Sequence, residues 1–203
     1  GVGVHDIIDF HGRVPAGATA DMWADRIIGE TDDGFGFVLE DFVNDLGYQS
    51  ITTPGTLKAL AQASERYGSL PWESLFEPAI ELARNGFTLR EGVHGYWTRA
   101  EDNVPGRVAV SDRLTYSDYG RRIYCDARGQ PHAIGQTLTN PDMAKTYQTL
   151  ASQGADSFYE GDIAVQIDAD MRAHQGLLRL RDLNDYETEC GSPLWGSYRG
   201  LDV

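Results

Sequence analysis

Hydrophobic side chains recur three to four positions apart in four stretches of the chain. This spacing predicts amphipathic helices near residues 55–67, 72–85, 141–153 and 162–175. In the second stretch the apolar stripe consists of Leu75, Phe76, Ala79, Ile80 and Ala83. Stripes of this kind ordinarily bury against one another, so we favour a helical core over the alternative of a cofactor groove.

Proline, glycine and capping residues bound the predicted helices. Thr53-Pro54-Gly55 precedes the first helix, Gly68 follows it, and Asn140-Pro141 precedes the third, as expected of helix ends. Pro78 lies inside the second stripe. Its missing backbone N–H predicts a kink there or a split into two helices.

The remaining segments predict extended or irregular structure. Residues 35–51 mix aromatic and β-branched side chains around a turn at Asn44-Asp45, which predicts a hairpin or an extended pair. Residues 103–139 are rich in Gly, Arg and Tyr without sustained periodicity, and we expect a structured loop there. The predicted fold class is mainly α with minor β, in a single unit. Its helical part covers about 53–185, and its extended segments lie near 4–10, 35–51 and 194–203.

The charge of the chain limits its partners. The 203 residues carry a net charge of −14 and no cluster of Lys or Arg, so we expect no nucleic-acid partner. No apolar run approaches the ~20 residues that a membrane-spanning helix requires. The first residues, GVGVHDIIDF, lack the basic and apolar regions of a signal peptide. We therefore predict no membrane span in this segment, and its localisation stays unknown.

Residues that bind metals or cofactors occur in no recognised pattern. Cys125 and Cys190 lie far apart without zinc-ligand spacing, which favours two free thiols and leaves a disulfide open. The five histidines fall in no catalytic motif, and the acidic run from Glu30 to Asp33 is typical of a solvated turn. We predict no metal site and no cofactor.

One local segment carries the groups of an anion-binding site. A strand-like run, Ile7-Ile8-Asp9-Phe10, is followed by His11, Gly12 and Arg13. Strand ends often project such side chains towards a ligand, so His11 and Arg13 are the candidate substrate-binding residues. The alternative, which the acidic surface favours, is that Arg13 pairs with a carboxylate and His11 packs at the turn.

Three collinear motifs resemble those of the gamma-glutamyltransferases. Residues 53–87, TPGTLKALAQASERYGSLPWESLFEPAIELARNGF, are similar to the family's PG-x-x-x-G…YG-x-LP-W…PA-x-x-LA-x-x-GF signature, with Ala59 where the family usually has Gly. Residues 138–167 resemble its L-A-x-T-L…GAD-x-FY-x-G stretch, and the stretch from Gly176 to Gly200 resembles its GGL…DL-x-x-Y…YRG ending. The resemblance implies the helical portion of the large subunit of an N-terminal-nucleophile (Ntn) hydrolase, a fold with αββα layers.

The resemblance also implies where the catalytic nucleophile lies. Family precursors cleave themselves before a Thr, which becomes the N-terminal nucleophile of the small subunit. No position here matches that site, because Thr52-Thr53 precedes Pro-Gly rather than His. We therefore expect residues 1–203 to be an internal large-subunit fragment without catalytic residues, inactive alone. We also expect it to self-associate through apolar surface that the missing small subunit would cover. A periplasmic or secreted protein would be compatible with the family.

The substrate implied by the resemblance is a small amide. In gamma-glutamyltransferases an Arg in the R-E-T-A-P stretch binds the substrate's α-carboxylate, and His11 occupies that position here. A neutral imidazole cannot replace a bidentate guanidinium, so we expect weak γ-glutamyl transfer unless Arg13 takes over, which strand alternation would permit. Cephalosporin acylases and oxamate amidohydrolases belong to related branches.

Two functional hypotheses follow. One is an enzyme that cleaves or transfers γ-glutamyl or other amide-linked acyl groups through the absent Thr. The other is a non-catalytic helical binding or structural module.

Overall fold

The computed structural model describes residues 5–98 and 106–202. The α-helices in this part of the chain are α1 Thr56–Tyr67, α2 Trp72–Asn85, α3 Glu91–Thr98, α4 Val110–Thr115, α5 Asp118–Tyr124, α6 Pro141–Gln153, α7 Asp156–Tyr159, α8 Asp162–Ala173 and α9 Leu180–Asn184. The strands are β1 Ile7–Asp9, β2 Ile27–Glu30, β3 Phe37–Leu39, β4 Phe87–Thr88, β5 Thr137–Leu138, β6 Glu189–Gly191, β7 Ser197–Tyr198 and β8 Leu201–Asp202. The predicted class, mainly α with minor β, is confirmed.

The four predicted helices are present as α1, α2, α6 and α8. The side chain of Asn140 caps α6 by accepting a hydrogen bond from the Met143 N–H at 3.0 Å. Gly154 ends the same helix with φ of 82°, a conformation that favours glycine. Pro78 lies within α2 without dividing it, so of the two predicted outcomes, a kink or a split, the split does not occur.

The loop predicted at 103–139 is wrong for much of its length. Residues 103–105 lie outside the described residues, but α4, α5 and β5 occupy part of the rest. Ser117 caps α5 by accepting from the Gly120 N–H at 2.9 Å, and Ile123 is buried. Helices of six and seven residues are too short to show a periodic stripe, which explains why the pattern did not reveal them.

A hairpin is present near the predicted one, but its turn lies earlier in the chain. Strands β2 and β3 pair antiparallel, and the Thr31 N–H donates to the Gly36 carbonyl at 2.9 Å across the turn. Asp33 supports that turn by accepting from the Phe35 N–H at 3.0 Å. A turn is present at Asn44-Asp45, where the Asp45 N–H donates to the Phe42 carbonyl at 2.8 Å, but it does not join two paired strands, so it is not the turn of the hairpin.

The two ends of the described chain meet in one small sheet. Strand β1 pairs antiparallel with β6, with Ile8 opposite Cys190 in the register. Strands β7 and β8 form a separate hairpin near the C-terminal end. The extended segments predicted near 4–10 and 194–203 therefore contain strands, within the residues that the structure describes. Both cysteines are free thiols, as favoured, with Cys125 buried and Cys190 exposed.

The hydrophobic core lies around the last three helices. Its buried members are Tyr159, Ala164, Met171, Leu178, Leu183 and Tyr186. Tyr159 and Leu183 are 0% exposed. Two tyrosines thus lie at the centre of the core, where their hydroxyl groups require hydrogen-bond partners.

A partly buried carboxylate joins α8 to α9, and we expect it to make stability depend on pH. Asp168 accepts from the Leu180 N–H at 3.0 Å and from Arg172 at 2.8 Å. The Arg172 hydrogen bond holds the pKa of Asp168 below its usual range, although partial burial opposes this. A lowered pKa in the folded state contributes stability above the ordinary Asp pKa of ~3.9, and this contribution is lost as the pH falls through the folded-state value.

We expect Asp168→Asn to lower the free energy of unfolding at pH 7 by about 1 kcal/mol. The difference from wild type should shrink as the pH is lowered below ~4, where the wild-type carboxyl group also becomes neutral. Urea unfolding at a series of pH values measures both. A difference that is independent of pH would show that the Asp168 charge contributes nothing.

Candidate substrate-binding groove

An open groove of about 620 Å³ lies beside the end of β1. One wall is the segment from Ile7 to Gly12, and the other consists of Thr52, Pro54, Gly55 and Thr56. The two walls are far apart in sequence. The groove is large enough for a small amide and too open to enclose it completely.

Backbone contacts bring the two walls together. The Thr53 N–H donates to the Arg13 carbonyl at 2.8 Å, as part of an antiparallel bridge between these residues. A Cβ atom on Gly12 would collide with the Thr52 hydroxyl, and one on Gly55 would collide with the Tyr186 hydroxyl and the Phe10 carbonyl. Both positions therefore require glycine because the walls approach so closely.

His11 lies in the wall of this groove. Its backbone N–H donates to Asp9 Oδ1 at 2.9 Å, and its carbonyl accepts from the Tyr186 hydroxyl at 3.0 Å. Its side chain is exposed. The backbone of His11 is thus held on both sides, while the exposed residue lines a space that solvent and a ligand can enter.

Arg13, the second predicted site residue, is not among the residues that line the groove. Its Nη2 lies 3.3 Å from Glu189 Oε1, and its guanidinium carbon lies 5.6 Å from the centre of the Tyr186 ring. Strand β1 ends at Asp9, so strand alternation does not set the relative directions of the two side chains. The structure therefore places His11 in the wall of the groove and the Arg13 guanidinium beside Glu189.

Three features of the groove escaped the sequence analysis: Asp9, the Thr52–Thr56 wall and the buried Tyr186. Gly55 stood in the sequence as part of a helix start, and Tyr186 as part of the motif near the C-terminal end. Tyr186 lies 175 positions from His11 in the sequence, so the hydrogen bond between them could not be read from local sequence. Burial raises the pKa of Tyr186. A tyrosine hydroxyl is protonated at neutral pH even at its ordinary pKa of ~10, so this hydroxyl is a hydrogen-bond donor.

The polar groups of the site carry mostly negative charge. Asp9 lines the groove, and Glu189 lies opposite Asp9 in the register of β1 and β6. Within residues 5–98 and 106–202, His, Cys, Asp and Glu side chains form no group of three that could hold a metal ion. No helix in the same part of the chain is long and apolar enough to span a membrane.

The mainly helical fold and the three sequence motifs both point to one class of protein, which the comparison with known families identifies. The sequence matches the family model described as Gamma-glutamyltranspeptidase over residues 3–203. The chain belongs to this family, and the family predicted from the three motifs is confirmed.

Individual relatives agree with this assignment. The chain is 32% identical over 197 residues to a glutathione hydrolase proenzyme from Pseudomonas sp. (strain A14), covering 97% of this chain and 31% of the relative. It is 30% identical over 204 residues to an acylase ACY 1 proenzyme from Pseudomonas sp. (strain V22), covering 99% of this chain and 34% of the relative.

The Helicobacter pylori gamma-glutamyltranspeptidase structure has the same fold, with a TM-score of 0.78 at 24% identity, covering 97% of this chain and 51% of that one. The chain thus spans about a third of the length of the curated relatives named above.

Proposed function

We propose that this chain is the helical large-subunit portion of an enzyme that cleaves or transfers amide-linked acyl groups. The nucleophile is a Thr outside these 203 residues, at the N-terminus of the small subunit. Family membership supports the reaction class, since the relatives include a glutathione hydrolase and an acylase, both named as proenzymes. Residues 1–203 supply no catalytic residue under this proposal.

The chemistry divides between the two subunits. The Thr hydroxyl, deprotonated by its own α-amine, attacks the amide carbon, the amine leaves with a proton, and an acyl-enzyme forms. Water or a second amine then attacks the ester and releases the acyl group. The chain described here contributes the groove that receives part of the substrate.

The observation that carries the choice of substrate is that His11, rather than an Arg, lies in the groove. The guanidinium of Arg13 lies outside the groove, beside Glu189. Asp9 adds a carboxylate to the site. A substrate carboxylate would meet no fixed cation there and one nearby anion, so an acyl group without an α-carboxylate is the better substrate.

Exposed apolar side chains fit a chain that packs against other protein surface. Leu194 is 95% exposed, Phe35 87% and Ile28 70%. Such side chains on the described surface are what a missing small subunit would cover. Self-association of the isolated chain remains a prediction of this proposal.

We expect the full-length protein to hydrolyse an uncharged acyl anilide faster than a γ-glutamyl anilide. The measurement is release of the aniline, with kcat/KM compared between the two substrates. The control is a variant whose proposed N-terminal Thr is replaced by Ala, which should release aniline from neither. Turnover of neither anilide by the wild type would instead favour a non-catalytic binding or structural module.

A further inference from the structure

Two buried tyrosines lie behind the groove and hold its two walls. Their rings are nearly parallel, with centroids 6.1 Å apart and 14° between the planes. The Tyr186 hydroxyl donates to the His11 carbonyl at 3.0 Å, and the Tyr159 hydroxyl donates to the Pro54 carbonyl at 2.9 Å. Each tyrosine thus binds the backbone of one wall.

The two walls also touch through the Tyr186 hydroxyl. Space for a side chain at Gly55 is taken by this hydroxyl and by the Phe10 carbonyl. The Tyr159 hydroxyl accepts from the Lys58 N–H at 3.1 Å, which ties the second wall to the start of α1. The walls therefore cannot shift without disturbing the buried tyrosine pair.

Tyr186 also contacts Arg13, the cation considered as a replacement for the family's Arg. The Arg13 guanidinium lies over the Tyr186 ring, in addition to its ion pair with Glu189. An aromatic face holds a guanidinium by cation–π attraction. The hydroxyl of Tyr186 thus fixes the backbone of His11, and its ring keeps Arg13 beside Glu189.

We propose that Tyr186 is a positioning residue for substrate recognition: it sets the place of His11 in the groove and holds Arg13 outside it. The effect of Tyr186 on substrate recognition rests on the proposed function. The anchoring of the His11 segment by Tyr186 does not depend on that function. Tyr186 does not line the groove and acts through the His11 segment. Tyr159 does the same for the opposite wall.

The test is Tyr186→Phe in the full-length protein, because phenylalanine keeps the ring in the core and removes only the hydroxyl. We expect the KM for the uncharged acyl anilide to rise about tenfold, the change expected when one buried hydrogen bond is lost. We expect kcat to change less than about twofold, since the groove binds substrate and the nucleophile lies elsewhere. Tyr159→Phe should raise KM in the same direction.

Hydrogen exchange measured by mass spectrometry provides a readout that does not depend on activity. The Thr53 N–H is bonded to the Arg13 carbonyl, and Thr53 is only 1% exposed. We expect peptides that cover residues 50–56 to exchange faster in Tyr186→Phe, while peptides from α6 stay unchanged. The matched control is Tyr124→Phe, a half-buried tyrosine of α5 that packs on Trp97 and does not line the groove.

Unchanged exchange at residues 50–56 would overturn the anchoring role. Faster exchange with an unchanged KM would also overturn the proposal, because Tyr186 would then be a structural residue without influence on recognition. If the wild type hydrolysed neither anilide, the proposed function would fail on its own. The exchange comparison would still decide whether Tyr186 fixes the His11 segment.

Discussion

Leu183→Ala lowers the free energy of unfolding by about 2–5 kcal/mol, the range observed when a fully buried Leu is truncated. Leu183 lies in α9 with 0% of its surface exposed, and it belongs to the core formed with Tyr159, Leu178 and Tyr186. The lost methyl groups leave a cavity. The rings of Tyr159 and Tyr186 cannot move into it without breaking the hydrogen bonds of their hydroxyl groups. Urea unfolding of the 203-residue chain at pH 7 measures the effect.

Leu60→Ala provides the control for this variant. Leu60 also lies in a helix, α1, but 58% of it is exposed. The change in helix propensity is the same at both positions, so the comparison isolates burial. We expect Leu60→Ala to alter the free energy of unfolding by less than about 0.5 kcal/mol. Equal effects at the two positions would show that the last helices do not form the core.

The long helices could be predicted because two independent signals coincide in them. Each of the four has an apolar stripe, and α1 and α6 also have recognisable end residues, such as Asn140 before α6. Shorter elements carry a weaker signal in the sequence. A six-residue helix such as α4 completes fewer than two turns, so its few apolar positions define no stripe.

The turn of the hairpin was predicted at the wrong position, although the sequence contains a turn signal at the right one. Asp33-Gly34 is a recognised turn sequence, and Gly34 adopts φ of 71° in the turn between β2 and β3. The predicted turn rested on Asn44-Asp45, which has similar turn propensity. A turn does form there, but it does not connect paired strands, and the Asp45 side chain binds Val108 and Arg113, residues more than sixty positions away. Local propensity alone could not decide between the two.

For the candidate site, sequence reasoning found one wall of the groove. The His11–Arg13 segment was predicted because two side chains that can carry positive charge follow a strand-like run. Its partners were not, since the Thr52–Thr56 wall and Tyr186 become neighbours only through tertiary packing. The direction of Arg13 was also beyond the sequence, because it depends on contacts with Tyr186 and Glu189 that form only after folding.

We expect His11→Arg in the full-length enzyme to raise kcat/KM for a γ-glutamyl anilide about thirtyfold, the equivalent of about 2 kcal/mol. The new guanidinium would lie in the groove and bind the substrate's α-carboxylate through two hydrogen bonds. Because His11 is exposed, solvent screening keeps the gain near the lower end for a charged pair. Steady-state kinetics with the γ-glutamyl and the uncharged anilide measure the change, and the uncharged substrate should change by less than about twofold.

Two further variants test the cause of this gain. His11→Lys shows whether the planar guanidinium or its charge alone is responsible, and Arg13→Ala shows whether Arg13 already binds the substrate carboxylate in the wild type. His11→Lys adds the same charge without a planar fork, so it should recover only part of the gain. Arg13→Ala should leave γ-glutamyl hydrolysis by the wild type unchanged, because the guanidinium lies with Glu189 outside the groove. The exposed ion pair alone would hold Arg13 only weakly, so a swing of this side chain away from Tyr186 and into the groove is the competing explanation. Strong γ-glutamyl hydrolysis by the wild type that Arg13→Ala abolishes would make Arg13 the carboxylate anchor and would refute the role assigned to His11.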